Sequence, residues 1–119
     1  MNVRAARGAI VVAEDERATL LAATAKLVGQ MIERNGLQTK DIVSVLFTTT
    51  PDLRSAFPAE AAREIGLTSV PLLCAQEIDV EGAMPRVIRV LMHFETGAAQ
   101  GDVEHVYLDG AEVLRDDLP

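Results

Sequence analysis

Arg89 is the residue whose surroundings most call for an explanation. It lies in RVIRVLMHFET (Arg86 to Thr96), which reads as a strand rich in β-branched and apolar side chains. Successive strand residues point to opposite faces, so Ile88, Val90, Met92 and Phe94 share one side. Val87, Arg89, Leu91 and His93 share the other, and neither side has the pattern of a solvent face. An arginine flanked on its own face by valine and leucine needs a partner, because an unpaired buried charge is expensive. The strand pattern leaves two roles open: an interface ion pair with a carboxylate such as Glu77 or Glu95, or a fixed cation in a site that does chemistry. The rest of the reactive inventory is thin. One cysteine, Cys74, and two widely spaced histidines, His93 and His105, allow no internal disulfide and show no recognisable metal-ligand spacing. A Ser-His-Asp or Cys-His arrangement for nucleophilic catalysis is not apparent either.

The elements that must position Arg89 can be read from the rest of the chain. VRAARGAIVV (Val3 to Val12) is expected to be a first strand. A long helix follows, favoured at its start by Glu14, Asp15 and Glu16, striped by Leu20, Leu21, Leu27, Val28, Met31 and Ile32, and stopped at Asn35-Gly36. DIVSVLFTTTPD gives a second strand through Ile42, Val45 and Phe47 that ends at the Pro51-Asp52 turn. PAEAAREIG fits a short helix with Pro58 at its start and Gly66 at its end. VPLLCA is a third strand, Gln76 to Pro85 a loop, and Arg86 to Thr96 the fourth strand. Val103 to Leu108 is the fifth, closed by the Asp109-Gly110 turn and followed by the short tail AEVLRDDLP.

These elements define an α+β fold: a five-stranded mixed sheet packed on one long helix plus a short helix, in a single domain over residues 1–119. The helix covers one sheet face. Since Val87 and Leu91 make the second face of the fourth strand apolar too, the expected cover there is another copy of the chain.

Composition excludes several classes of function. Of the 119 residues, 49% are hydrophobic and 24% charged, the profile of a folded globular chain, and with aromatics at 3% the core must be aliphatic. A net charge of −7 with no basic cluster argues against nucleic acid and against an anionic membrane as partner. No apolar stretch approaches the roughly 20 residues of a membrane span, and no basic-then-apolar signal pattern is present, so a cytoplasmic location is expected.

The segments VRAARGA, TTTPDLRSAFPAEAARE, VPLLCAQEIDVEGAMPRVIRVLMH and HVYLDGAEVLRDDLP, in this order and spacing, resemble the AroH-type chorismate mutases over nearly the whole chain. The resemblance implies a homotrimer whose sheets form a pseudo-barrel, with active sites between adjacent subunits. It also implies the rearrangement of chorismate to prephenate without a cofactor, metal or covalent intermediate. An intramolecular [3,3] rearrangement needs no nucleophile and no proton transfer, which accounts for the thin inventory. It needs a substrate held folded and fixed charge where the transition state polarises.

By the same resemblance, Arg89 is the cation facing the ether oxygen as its bond lengthens, and Arg7 and Tyr107 grip the substrate carboxylates. Glu77 and Cys74 meet the ring hydroxyl. Phe57, Ala59 and Arg63 form a wall donated by the adjacent subunit, Leu72 and Leu73 line the site before Cys74, and Leu114 and Arg115 close over it. His93 and His105 match no catalytic role. One position departs from the family's pattern: Glu60 stands where a basic residue is often found, which would weaken attraction for a dianion unless Arg63 dominates or Glu60 points outward. Two alternatives compete with this assignment: a reactive-imine deaminase of similar trimeric fold, which the TTTPDLRSAFPAEAARE and VYLDGAEVLR segments do not resemble, and a trimeric small-molecule binding protein, against which Arg89, Glu77, Arg7 and Tyr107 together speak.

Overall fold

The computed structural model describes residues 1–117, with side chains as far as Leu114. The order of elements is β1 (Asn2–Val11), α1 (Arg17–Arg34), β2 (Ile42–Thr49), α2 (Pro58–Glu64), β3 (Leu72–Gln76), β4 (Val87–Thr96) and β5 (Val106–Leu108). Short 3-10 turns occupy Thr39–Asp41 and Gln100–Asp102, and a longer 3-10 run, Ala111–Asp117, follows β5. One five-stranded sheet has the order β3-β2-β4-β1-β5. The central strand β4 is antiparallel to β1 and β2, while β5 runs parallel to β1 and β3 parallel to β2. Parallel strands need a crossover, and α1 and α2 supply the connections from β1 to β2 and from β2 to β3. The mixed sheet with one long and one short helix agrees with the α+β expectation.

Helix α1 buries a stripe of Leu20, Thr24, Leu27, Val28 and Met31 against the sheet. Opposing it are Ala6 and Ile10 of β1, Val45 and Phe47 of β2, and Ile88, Val90, Met92 and Phe94 of β4, all at most 3% exposed. Helix and sheet approach closely at Gly8. A Cβ there would lie 2.5 Å from Met31 Sδ and 3.1 Å from Leu27 Cδ1, so the missing side chain lets α1 rest on β1 beside Arg7. In α2, the buried faces of Ala59, Ala61 and Ala62 are small enough for the helix to pack closely.

Element boundaries differ from the sequence expectation where side chains take over backbone hydrogen bonds. Helix α1 begins after the acidic run, so its first turn holds no acid. Asp15 instead accepts the backbone N–H groups of Arg54 and Ser55 at 3.0 Å each. Strand β5 starts at Val106 rather than Val103, because the Asn35 side chain accepts from the N–H of Glu104 at 2.8 Å and donates to its C=O at 3.0 Å. Strand β4 starts at Val87, since Arg86 adopts a left-handed φ of 54°. Asp52 accepts the Arg86 N–H at 3.0 Å, and the Thr50 hydroxyl donates to Asp52 at 2.6 Å while accepting the Val87 N–H at 3.0 Å. The TTTPD turn thus locks the entry to β4 three residues ahead of Arg89.

Candidate active site

Residues paired across neighbouring strands share a face, so the register builds the helix-free side of the sheet in rows. One row runs Tyr107, Ala9, Arg89, Thr48 and Ala75 from β5 to β3. The next runs Arg7, Leu91, Leu46 and Leu73. Small residues, Ala9 and Thr48, flank Arg89 and leave space above it. Arg7, Arg89, Tyr107 and Leu114 accordingly line one concavity of about 280 Å³, just below the ~300–1,000 Å³ of typical small-molecule sites.

Arg89 has a partner within its own chain. Its Nε lies 3.1 Å from Glu77 Oε2, and the Thr48 hydroxyl donates to the same oxygen at 3.0 Å. The Glu77 backbone N–H donates to the Thr49 carbonyl at 2.9 Å, which extends the β2–β3 ladder by one step and aims the carboxylate at β4. The ion pair expected of Arg89 therefore exists with Glu77, inside the chain. The Arg89 side chain is 47% exposed and that of Glu77 21%. A pair this accessible to water contributes about 0–1 kcal/mol to stability, too little to account for an arginine in the middle of the central strand. In a single chain the guanidinium is also wetter than the sequence pattern implies.

The remaining expected site residues lie elsewhere. Leu72 and Cys74 alternate toward the helix side and pack against the core, whereas Leu73 is 61% exposed on the open face. Phe57, 73% exposed just ahead of α2, lines a second groove with Cys74 and Arg17. Ala59 is buried in α2 and Arg63 is exposed on it. Cys74 and Glu77, expected to act on the same hydroxyl, thus lie on different sides of the sheet in one chain. Leu114 packs with Tyr107 on a small cluster around Ala9, Val87 and Ala111, so the tail backbone lies along the open face. The side chain of Arg115 lies outside the described residues.

Three participants were not singled out as site residues in the sequence. Thr48 steadies Glu77, and only the β2–β4 register reveals it. His105 accepts the backbone N–H of Arg7 through Nδ1 at 2.9 Å. Arg17 pairs with Glu60, which settles where that unexpected acid points. The hydrogen bond from Arg17 holds the Glu60 carboxyl below its usual range, and the same contact raises Arg17. Asp15 is likewise held low, first by the Ser55 side chain and then by the backbone N–H of Arg54. Among the described residues, no group of three or more His, Cys, Asp or Glu is placed to hold a metal ion, and no helix is long and apolar enough to cross a membrane.

Two arginines and a tyrosine around a cleft, with a carboxylate fixing one arginine, define a site suited to an anionic substrate and to catalysis by orientation and fixed charge. The family model for chorismate mutase type I matches residues 3–118, and the chain belongs to that family. It is 52% identical over 117 residues to the chorismate mutase AroH of Thermus thermophilus, covering 98% of this chain and 96% of the relative. With the chorismate mutase AroH of Bacillus subtilis it shares 42% identity over 119 residues, covering 99% and 94%. A solved chorismate mutase from Clostridium thermocellum superposes with a TM-score of 0.90 at 49% identity, over 92% of this chain and 97% of that one. These likenesses favour the mutase over the binding-protein and deaminase readings.

Proposed function

We propose that this chorismate mutase rearranges chorismate to prephenate, for phenylalanine and tyrosine synthesis, in the cleft above Arg89 on the helix-free face. The observation that supports this most is the convergence of Arg7, Arg89 and Tyr107 on one concavity through strand register. Arg7 and the Tyr107 hydroxyl grip the substrate carboxylates, and the shape of the cleft holds the enolpyruvyl arm folded over the ring. As the C–O bond lengthens and the new C–C bond forms, negative charge grows on the ether oxygen. Glu77 engages Nε of Arg89, so we assign the terminal guanidinium nitrogens to that oxygen. Glu77 also faces the ring hydroxyl and the positive character that develops on the ring.

The site is completed by a neighbouring subunit in this reading. Leu46, Leu73 and Val43 leave apolar surface exposed on the sheet, and a homotrimer built through these faces dries the half-exposed guanidinium. The adjacent subunit brings Phe57, Ala59, Arg63, Leu72 and Cys74, which explains why one chain holds these residues apart from Arg89. Leu114 and Arg115 close the cleft. The reaction takes place in the cytoplasm, with neither cofactor nor metal.

Mixing the purified protein with chorismate and following loss of its absorbance tests the activity, with acid conversion of the product to phenylpyruvate as the check for prephenate. Arg89→Ala is expected to lower turnover at least about 10²- to 10³-fold, in a particle that sediments as a trimer. Full activity in that variant would remove Arg89 from the mechanism, and an active wild-type monomer would remove the shared site.

A further inference from the structure

His105 has no part in the mechanism above, yet its ring touches the strand that presents Arg7. The β1–β5 ladder pairs Gly8 with Val106, Ala9 with Tyr107 and Ile10 with Leu108, and therefore ends one residue short of Arg7. At that point the imidazole takes over. Nδ1 of His105 accepts the Arg7 N–H at 2.9 Å, in the place where a strand carbonyl would otherwise continue the ladder. A backbone N–H can only donate, so this bond requires Nδ1 without a proton.

The ring is held for this task from both sides. Asn35, at the end of α1, clamps the N–H and C=O of Glu104, the residue just before His105. Val106, just after it, is fully buried in the core, and Val103 is buried as well. Two residues beyond His105, Tyr107 faces the same cleft as Arg7. The segment thus fixes the spacing between β1 and β5, which bear the two side chains assigned to the substrate carboxylates.

We propose that His105 is a positioning residue for substrate capture: through Nδ1 it fixes the backbone of Arg7, and so the aim of the Arg7 guanidinium relative to Tyr107. This rests on the reading of Arg7 as a carboxylate grip. A ligand group held by a misaimed arginine is bound less tightly, while the bond changes at Arg89 are untouched. The effect belongs in KM rather than in kcat.

The acceptor can be moved without removing a polar side chain. Asn places Oδ1 close to where His places Nδ1, whereas Gln carries its carbonyl one bond farther out. In the full-length enzyme with chorismate, His105→Ala is expected to raise KM about three- to tenfold with kcat changed less than about twofold. His105→Asn is expected to recover most of that loss and His105→Gln little of it. The amide resonance of Arg7 in a 15N-labelled sample should shift in the Ala and Gln variants and stay near its wild-type position in Asn. A role in packing alone forecasts a lower melting temperature with wild-type KM, or equal behaviour of Asn and Gln, and either result overturns the proposal. Should His105→Ala fail to fold, the Asn and Gln pair decides it alone. Arg7→Ala serves as the control on the underlying reading. If its KM is unchanged, Arg7 is no grip and the proposal falls with it. If KM rises in Arg7→Ala but not in His105→Ala, the grip stands and His105 has no share in it.

Discussion

The two faces of the sheet are built from the same strands and serve opposite ends. On the covered face, Ala6, Ile10, Val45, Phe47, Ile88 and Met92 meet α1 with almost no exposure, and their contribution is apolar burial. On the open face, one residue along each strand, Arg7, Thr48, Arg89 and Tyr107 stand among Ala9, Leu46 and Leu91 around a cleft. Apolar burial is concentrated on the first face, and the proposed reaction belongs to the second. Alternation at single-residue steps lets one strand supply both, so Arg89 is held between Ile88 and Val90, which are locked into the core. The cation proposed for catalysis is, when mounted in this way, preorganised by packing it does not itself take part in.

Substitutions on the two faces should therefore divide cleanly. Phe47→Ala on the covered side is expected to cost about 3–5 kcal/mol of stability, read by chemical denaturation, with turnover per folded enzyme little changed. A loss confined to turnover would break the comparison. Next in size is Gly8→Ala, whose new methyl meets Met31 Sδ and Leu27 Cδ1. Overpacking of about 1–3 kcal/mol should appear as a lower melting temperature.

Crossing to the open side, Thr48→Val keeps the strand shape and removes the hydroxyl that donates to Glu77. Here a fall in turnover of about three- to tenfold is expected with melting temperature nearly unchanged. Equal turnover would mean that Glu77 needs no such support. The smallest effect belongs to Asp15, which ties the loop before Phe57 to the start of α1. Its carboxyl is depressed in the folded chain, chiefly by the Ser55 side chain, from a reference of 3.8. Its contribution is thus fully present above about pH 4 and fades as pH falls through the depressed folded value. Melting temperature measured from pH 6 down to pH 3 should decline less steeply in Asp15→Ala than in wild type, and parallel curves would exclude the linkage.

How much of this was legible in the sequence follows from what a single chain encodes. The faces of β4 can be read because alternation is local: Ile88, Val90, Met92 and Phe94 are all buried on one side, while of the other only Val87 is buried, under Ala111. The stripe of α1 is local in the same sense. Register is not, and so Thr48 beside Arg89 and His105 against Arg7 emerge only once strands are paired. Strand β5 starts three residues later than its sequence pattern implies, because the bonds from Asn35 to Glu104 span 69 positions. Family resemblance groups Cys74 with Glu77, although β3 alternation turns Cys74 toward the helix side of its own chain. Glu60 stands out in the sequence as an acid out of place, but its partner Arg17 lies 43 positions away.

The central claim is that the positive charge of Arg89, rather than its shape or its pairing with Glu77, drives the rearrangement. Citrulline at position 89 separates charge from shape, since it keeps the planar outline, the Nε–H that meets Glu77 and one terminal NH2, but is neutral, with a carbonyl oxygen in place of the other terminal nitrogen. Single-turnover conversion of chorismate and sedimentation should be measured on the same sample. An intact trimer that still binds chorismate, with turnover reduced by at least about 10²- to 10³-fold, is the predicted result. Near-wild-type turnover in that trimer, or a loss explained wholly by dissociation, would contradict the account.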